Sequence, residues 1–376
     1  MGWRQGDSSS KAATWHNWRM PLRIRIFYIL LAIVTASVVF FGLFVTLGKL
    51  VPPEAGLVHV GPGRDAHIIS LAKDDSGALY AGASNGDLYR RTGTTFWHRV
   101  EAPAGVTGVT ALVTRPGLTA ATANGSWRIA DDGSWRRLSD GLPERYRASS
   151  LLSAADGGLY LASDDSVWYS RDGRSGWQPL PTEGLPGSVR FYRLFAHQGG
   201  LLAGTSGHGL LRFSADRWSD DSSGLPAASN VFALQPLPDG GLLLGTDHGA
   251  FYRSAQEHSW QVAGAGLRGL RVTALALAGE GEATTLWAGG DAALYRLPLS
   301  ELGEGGAWRS VSATHHAVAA LLVDDQTLQV ASGQVFEYRI WPAIRGWHFI
   351  IALLAAGTVY YIISRRPRRY LAQQGK

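Results

Sequence analysis

Asp164, Asp165, His208, Asp247, His248 and Asp291 stand in four short segments of like pattern, ASDDSVW, TSGHGLL, TDHGAFY and GGDAALY. Carboxylate and imidazole are the usual donors to a cation or a polar ligand. Turns gathered around a common axis could bring the six together as a ligand site. The same residue types are also favoured in turns for backbone reasons alone, so both readings stay open. No H-x-x-x-H or H-E-x-x-H spacing supports a metal, and the chain has no Cys to supply a thiolate or a disulfide. No phosphate-cradling glycine loop, nucleophile elbow or dinucleotide-binding glycine pattern occurs. No catalytic residue and no cofactor are therefore expected, and the chain reads as a non-enzyme. His315-His316 reads as a solvated loop pair or a second ligand site, and Asn124-Gly125-Ser126 as a turn that also matches a glycosylation sequon.

The elements that must position these turns are repeats. Leu88, Trp127, Trp168, Leu211, Phe251, Leu294 and Phe336 recur at intervals of 39 to 43 residues. Trp97, Trp135, Trp177, Trp218, Trp260 and Trp308 form a second series with nearly the same period. Two registers with one period of 40–50 residues are the signature of a β-propeller. Each repeat divides into four short strands, as in NVFALQPL, GLLLGTD, GAFYRSA and SWQVAGA, with Gly, Asp and Pro at the breaks. Such a unit exposes apolar surface on both faces and buries it only against neighbours, so the units must close into a ring. The recurring Trp residues are expected to pack blade against blade.

The last repeat has only three strands, ending in QVFEYRIW (Gln334–Trp341). Its missing fourth strand is supplied by LVHV, Leu57–Val60, at the other end of the domain. The fold class expected is all-β, a seven-bladed propeller over 55–342 whose N-terminal strand closes the last blade. Both chain ends then leave the ring on the face where third strands end and fourth strands begin. The opposite face carries the second-to-third turns, with the six candidate residues, and the fourth-to-first connections.

Two apolar runs flank the propeller. Residues 26–48 carry no charge over 23 positions, about 34 Å as a helix, and 346–364 carry none over 19, about 28 Å. A bilayer core is about 30 Å thick, so both are expected to be transmembrane helices. Their small-x-x-x-small pairs, Ala32 with Ala36 and Ala352 with Ala356, would let the two helices pack closely. The basic tails 1–25 and 365–376 carry +4 and +5, which leaves 26–364 at −4 within a total of +5. Lys and Arg stay on the cytoplasmic side. Both termini are thus expected in the cytoplasm, with the propeller on the outer, periplasmic side of the inner membrane and turning its chain-end face to the lipid. The mildly acidic middle argues against nucleic acid as a partner.

Gly141-Leu142-Pro143, Gly184-Leu185-Pro186 and Gly224-Leu225-Pro226, with a degenerate Gly266-Leu267-Arg268, precede successive repeats. With SGLPAASNVFALQPLPDGGLLLGTDHGAFYR they resemble the repeats of the two-component regulator propeller family, which serves as an extracytoplasmic sensor. Ser170, Asp172 and Trp177 are similar to the Asp-box of BNR and sialidase-type propellers, with Arg174 where that box has Gly. The photosystem II assembly factors of the Ycf48 type share such repeats, within the wider WD40/YVTN-like class. The resemblance spans about 57–340 and implies fold more than function. Sensor members continue into an output domain, whereas 365–376 is a short tail, so a signal would pass to a separate protein. The expected function is a membrane-anchored, non-catalytic module for a protein partner in the envelope, as assembly factor, scaffold or accessory subunit. The alternative is a small-molecule sensor, and a glycosidase or lyase is the third reading.

Overall fold

The computed structural model describes residues 22–50, 54–63, 66–93, 96–303, 305–324, 327–341 and 353–358. The chain divides into two units: Ala55–Arg339, and the flanking segments Met1–Glu54 with Ile340–Lys376.

Ala55–Arg339 holds seven four-stranded antiparallel sheets among the described residues, one per repeat. We number these blades 1 to 7 from Ile68. Their inner strands are Ile68–Lys73, Val109–Val113, Ala148–Ser153, Phe191–His197, Val231–Pro236, Val272–Ala278 and Ala320–Asp324. Each inner strand touches the next, and the last touches the first, so the ring is closed. Burial falls off outward. The second strands Leu79–Ala83, Thr119–Thr122 and Leu242–Thr246 are buried at every position. They lie between neighbours on both faces, which is why their sequences run apolar without alternation. The fourth strands are mostly exposed, as in Arg217–Asp220, where only Trp218 is buried.

That tryptophan position joins the blades. Trp218 Nε1 donates to Pro181 O at 2.9 Å, Trp260 to Asp221 O at 2.8 Å and Trp308 to Ala263 O at 2.5 Å, each reaching the end of the preceding blade. The Gly-Leu-Pro motif belongs to the same joint. Gly184 has φ +83° and Gly224 φ +92°, and a Cβ on either would collide with the carbonyl of Trp218 or Trp260 respectively. Only glycine meets both conditions. The degenerate copy keeps the glycine, Gly266 at φ +99° beside Trp308 O.

The seventh blade has the strand order Glu54–His59, Gln334–Trp341, Thr327–Ser332, Ala320–Asp324. The N-terminal strand is thus its outer strand, running three residues earlier than Leu57–Val60 and stopping one short. Val60 N donates to Val335 O at 3.0 Å, so the end of the first segment meets the start of the last. The two strands are antiparallel, and both chain connections leave the ring on one face, opposite the second-to-third turns.

In the flanking unit, residues Leu22–Leu50 form one 29-residue helix, longer than the 26–48 run. Ala32 is fully buried and Thr35, Ala36, Val39 and Phe40 half-buried on one stripe, the i, i+3, i+4 spacing of a packed helix face. Phe27, Leu30, Val34, Val38 and Phe41 are exposed. Among the described residues no helix is long and apolar enough to cross a membrane. Neither expected span is therefore shown. Of 346–364, residues 353–358 are helical, and the rest, Ala352 included, lies outside the described residues, as do both basic tails up to residue 21 and from 359.

Candidate functional site

The six predicted residues all lie on the second-to-third turns of blades 3 to 6, on the face opposite the chain connections, but their side chains do not meet in one place. Asp164 and Asp165 are exposed, and Asp165 accepts from the Ser166 hydroxyl at 2.9 Å. His208 Nε2 lies 2.9 Å from Ser188 O. Asp291 is paired with Arg271, Nε to Oδ1 2.8 Å, both half exposed. Only Asp247 and His248 are together, Oδ1 to Nδ1 2.9 Å. Asp247 also accepts from the Asn230 backbone N–H at 2.9 Å and from its side-chain amide. Burial pushes the Asp247 carboxyl up, but the Asn230 hydrogen bonds and His248 outweigh it and hold the group below its ordinary value. Three of the turns are tied to the connection that enters their own blade, His208 to Ser188, Asp247 to Asn230 and Asp291 to Arg271, whereas the Asp164 carbonyl accepts from Phe191 N at the start of the next inner strand. Among the described residues no cluster of three or more His, Asp or Glu could hold a metal.

What this face does offer is a groove of about 590 Å³ over blade 4. Its walls are Gly184-Leu185-Pro186 on one side and Ser222 to Ser229 on the other, with His208 in the floor. Ala228, Gly207 and Gly209 along it have positive φ, +57°, +73° and +63°. Gly207 N donates to Asn230 Oδ1 at 3.1 Å and Leu210 N to Ser222 Oγ at 3.0 Å, which ties the turn at His208 to the Ser222–Ser229 side. A channel lined by backbone, small side chains and two prolines suits an extended chain more than a compact metabolite. The Gly-Leu-Pro repeats carried the signal for its walls; nothing in their spacing said that two of them would face one another.

A second cluster was not legible in the sequence. Between blades 4 and 5, Asp221 receives both Arg253 nitrogens, at 2.7 and 3.0 Å, and Arg212 at 2.9 Å. The Arg253 side chain is 9% exposed and its guanidinium lies over Trp260, 4.4 Å from the ring centroid. Burial pushes the Asp221 carboxyl up and the two guanidinium groups pull it below its ordinary value. His197 beside them is pushed down by burial and by Arg212 and Arg253. The cluster lines a cleft of about 330 Å³ with Glu257 and His258. Arg212 and Asp221 belong to blade 4 and Arg253 to blade 5, and no local pattern links the three.

The Asp-box turn is built as such a turn should be. Asp172 Oδ1 accepts from Arg174 N at 2.8 Å, Ser175 N at 2.9 Å and Ser170 Oγ at 2.9 Å. Those backbone donors, Ser175 first, hold its carboxyl well below the usual carboxylate range. Arg174 in place of glycine does not prevent this geometry. It is a strand connection, remote from the groove in sequence and in role.

No family model and no curated protein matches the chain. Solved structures do. The extracellular domain of the putative hybrid two-component system BT4673 from B. thetaiotaomicron has TM-score 0.64 at 16% identity, over 76% of this chain and 39% of that one. A virginiamycin B lyase from Staphylococcus aureus with quinupristin has TM-score 0.64 at 12% identity, over 76% and 99%. YCF48 bound to D1 peptide has TM-score 0.55 at 16% identity, over 77% and 97%. The chain shares their fold. It spans about two fifths of the length of the sensor structure. A peptide-bound protein, sensor domains and a lyase lie on one fold, so the fold does not choose among their activities.

Proposed function

We propose that this protein is a membrane-anchored, non-catalytic binding module whose propeller takes a segment of a protein partner in the groove over blade 4. The groove carries the reading: two Gly-Leu-Pro loops line it together with His208 and small side chains. Among the described residues no acid–base or nucleophile set converges beside it. A rigid ring with varied loops offers surface rather than chemistry. The likeness to peptide-bound YCF48 is in keeping with this use of the fold. The apolar run 26–48 and the cations before it support an inner-membrane anchor with cytoplasmic termini and a periplasmic propeller. Full-length protein purified from solubilised membranes should bring down a stoichiometric partner, and Ala227→Arg, at the exposed rim of the groove, should release it. Recovery of no stoichiometric partner with the wild type would overturn the reading.

The alternative is a small-molecule sensor that signals through a separate protein. The likeness to extracellular sensor domains favours it, as does the hydrogen-bonded Asp247–His248 pair on the same face. A ligand-dependent rise in melting temperature that Asp247→Asn abolishes, while Ala227→Arg leaves it intact, would select this reading.

A further inference from the structure

The seven inner strands wall the axial channel, and their charged side chains can be counted. Lys73, Arg193 and Asp324 carry full charge, and His197 is titratable. Lys73 and Asp324 are paired at 2.6 Å, and Arg91 also reaches Asp324 at 2.8 Å. His197, on the strand of Arg193, sits beside Arg212 and Arg253 and is held toward its neutral form. Arg193 is left. Among the described residues its side chain has no hydrogen bond, no ion pair and no aromatic ring beneath it.

The register shows how unusual this residue is. Six inner strands carry a β-bulge at the same place, and the residue after the bulge pairs with a Gly or Ala of the second strand. In the other five of these strands that residue is small: Ser70, Ala111, Ser150, Ala233 and Ala274. In blade 4 it is Arg193, opposite Gly204. Side chains here leave the strand toward the next inner strand, as Ser70 Oγ shows by donating to Val109 O at 2.7 Å. Blade 4 thus carries a guanidinium at the inner-strand position where five other blades carry a small residue. Protein surrounds it closely enough that burial alone pushes its pKa down, although water-sized contact along the channel leaves it half-buried. An enclosed charge without a partner is strongly unfavourable unless an opposite charge joins it. Five donors in a planar fork match a carboxylate or an inorganic oxyanion. The same face carries the aspartates of the second-to-third turns and also cations. Arg147 and Arg190, the residues just before the inner strands of blades 3 and 4, are exposed and form no ion pair among the described residues.

We propose that the axial channel binds a small oxyanion, with Arg193 as its principal ligand and Arg147 and Arg190 at the mouth drawing it in. This goes beyond the groove, which lies off the axis, and stands whether or not a protein partner is found.

The test is thermal unfolding of the full-length protein in detergent with inorganic phosphate or acetate, each against sodium chloride at equal ionic strength. Wild type should show a saturable rise of about 5 °C at a hundredfold excess over Kd. A larger rise with acetate would identify a carboxylate, and a larger rise with phosphate an inorganic oxyanion. Arg193→Gln should lose the saturable rise, and Arg193→Lys, which keeps the charge, should retain it at tenfold or more higher anion concentration. Arg190→Gln should shift the midpoint concentration without abolishing the rise. An equal response from wild type and Arg193→Gln overturns the proposal. If Arg193→Gln does not fold, Arg193→Lys decides: a weakened saturable response supports the site and no response refutes it.

Discussion

Trp97 Nε1 donates to Val60 O at 2.6 Å, and this bond joins the first blade to the strand that the chain laid down before any blade was complete. It repeats the joint made by Trp218, Trp260 and Trp308, but here the acceptor lies on the N-terminal segment of blade 7. Trp97→Phe keeps an aromatic ring, though a smaller one, and removes the donor, so it should cost at least about 1 kcal/mol in denaturant unfolding. Trp135 occupies the same series, yet its buried Nε1 has no partner. Trp135→Phe should therefore be neutral or slightly stabilising. Equal midpoints for the two variants would show that the bond at the seam contributes nothing.

Removal of the N-terminal strand should open the ring. Without Glu54–His59, the strand Gln334–Trp341 becomes an unpaired edge that can template pairing with another chain. A chain beginning after Val60 should self-associate in light scattering, and an added peptide containing residues 54–60 should suppress this. A monodisperse monomer of unchanged stability would show that the closure is dispensable.

The Arg212–Asp221–Arg253 cluster should give the protein part of its acid sensitivity. The Asp221 carboxyl lies below its ordinary 3.8 in the folded state. A depressed carboxylate contributes stability that is present above that ordinary value and lost as pH falls through the folded value. Asp221→Asn leaves Arg253, 9% exposed, without its counter-charge, and should cost about 3 kcal/mol at neutral pH. The gap between wild type and variant should then shrink as pH drops below 3.8. A gap independent of pH would assign the cost to packing instead of charge.

Gly184 should not tolerate a side chain. Its φ of +83° and the Trp218 carbonyl against it both oppose a Cβ, so Gly184→Ala should destabilise by about 2 kcal/mol or more. Gly187, three residues on, has nothing within 4 Å, and Gly187→Ala should unfold at the wild-type midpoint. Unfolding midpoints for the pair would separate the joint's packing from a general effect of changing this loop.

Much of the architecture was legible before folding because a propeller repeats itself. The interval from Leu88 to Phe336, the six-fold tryptophan series and the three-strand remnant at Gln334–Trp341 are local patterns, and local patterns survive in one dimension. They determined the number of blades, the closing strand and the face that carries Asp164, Asp165, His208, Asp247, His248 and Asp291. They did not determine that these six would not converge, with only Asp247 and His248 in contact. Nor could they show that Asp221 would meet Arg212 and Arg253, or that Arg193 would stand alone where other blades place Ser or Ala. Those outcomes depend on which side chains face each other across a blade junction. Spacing along one chain carries no such information; it arises only when the ring closes and each buried charge finds a partner or lacks one.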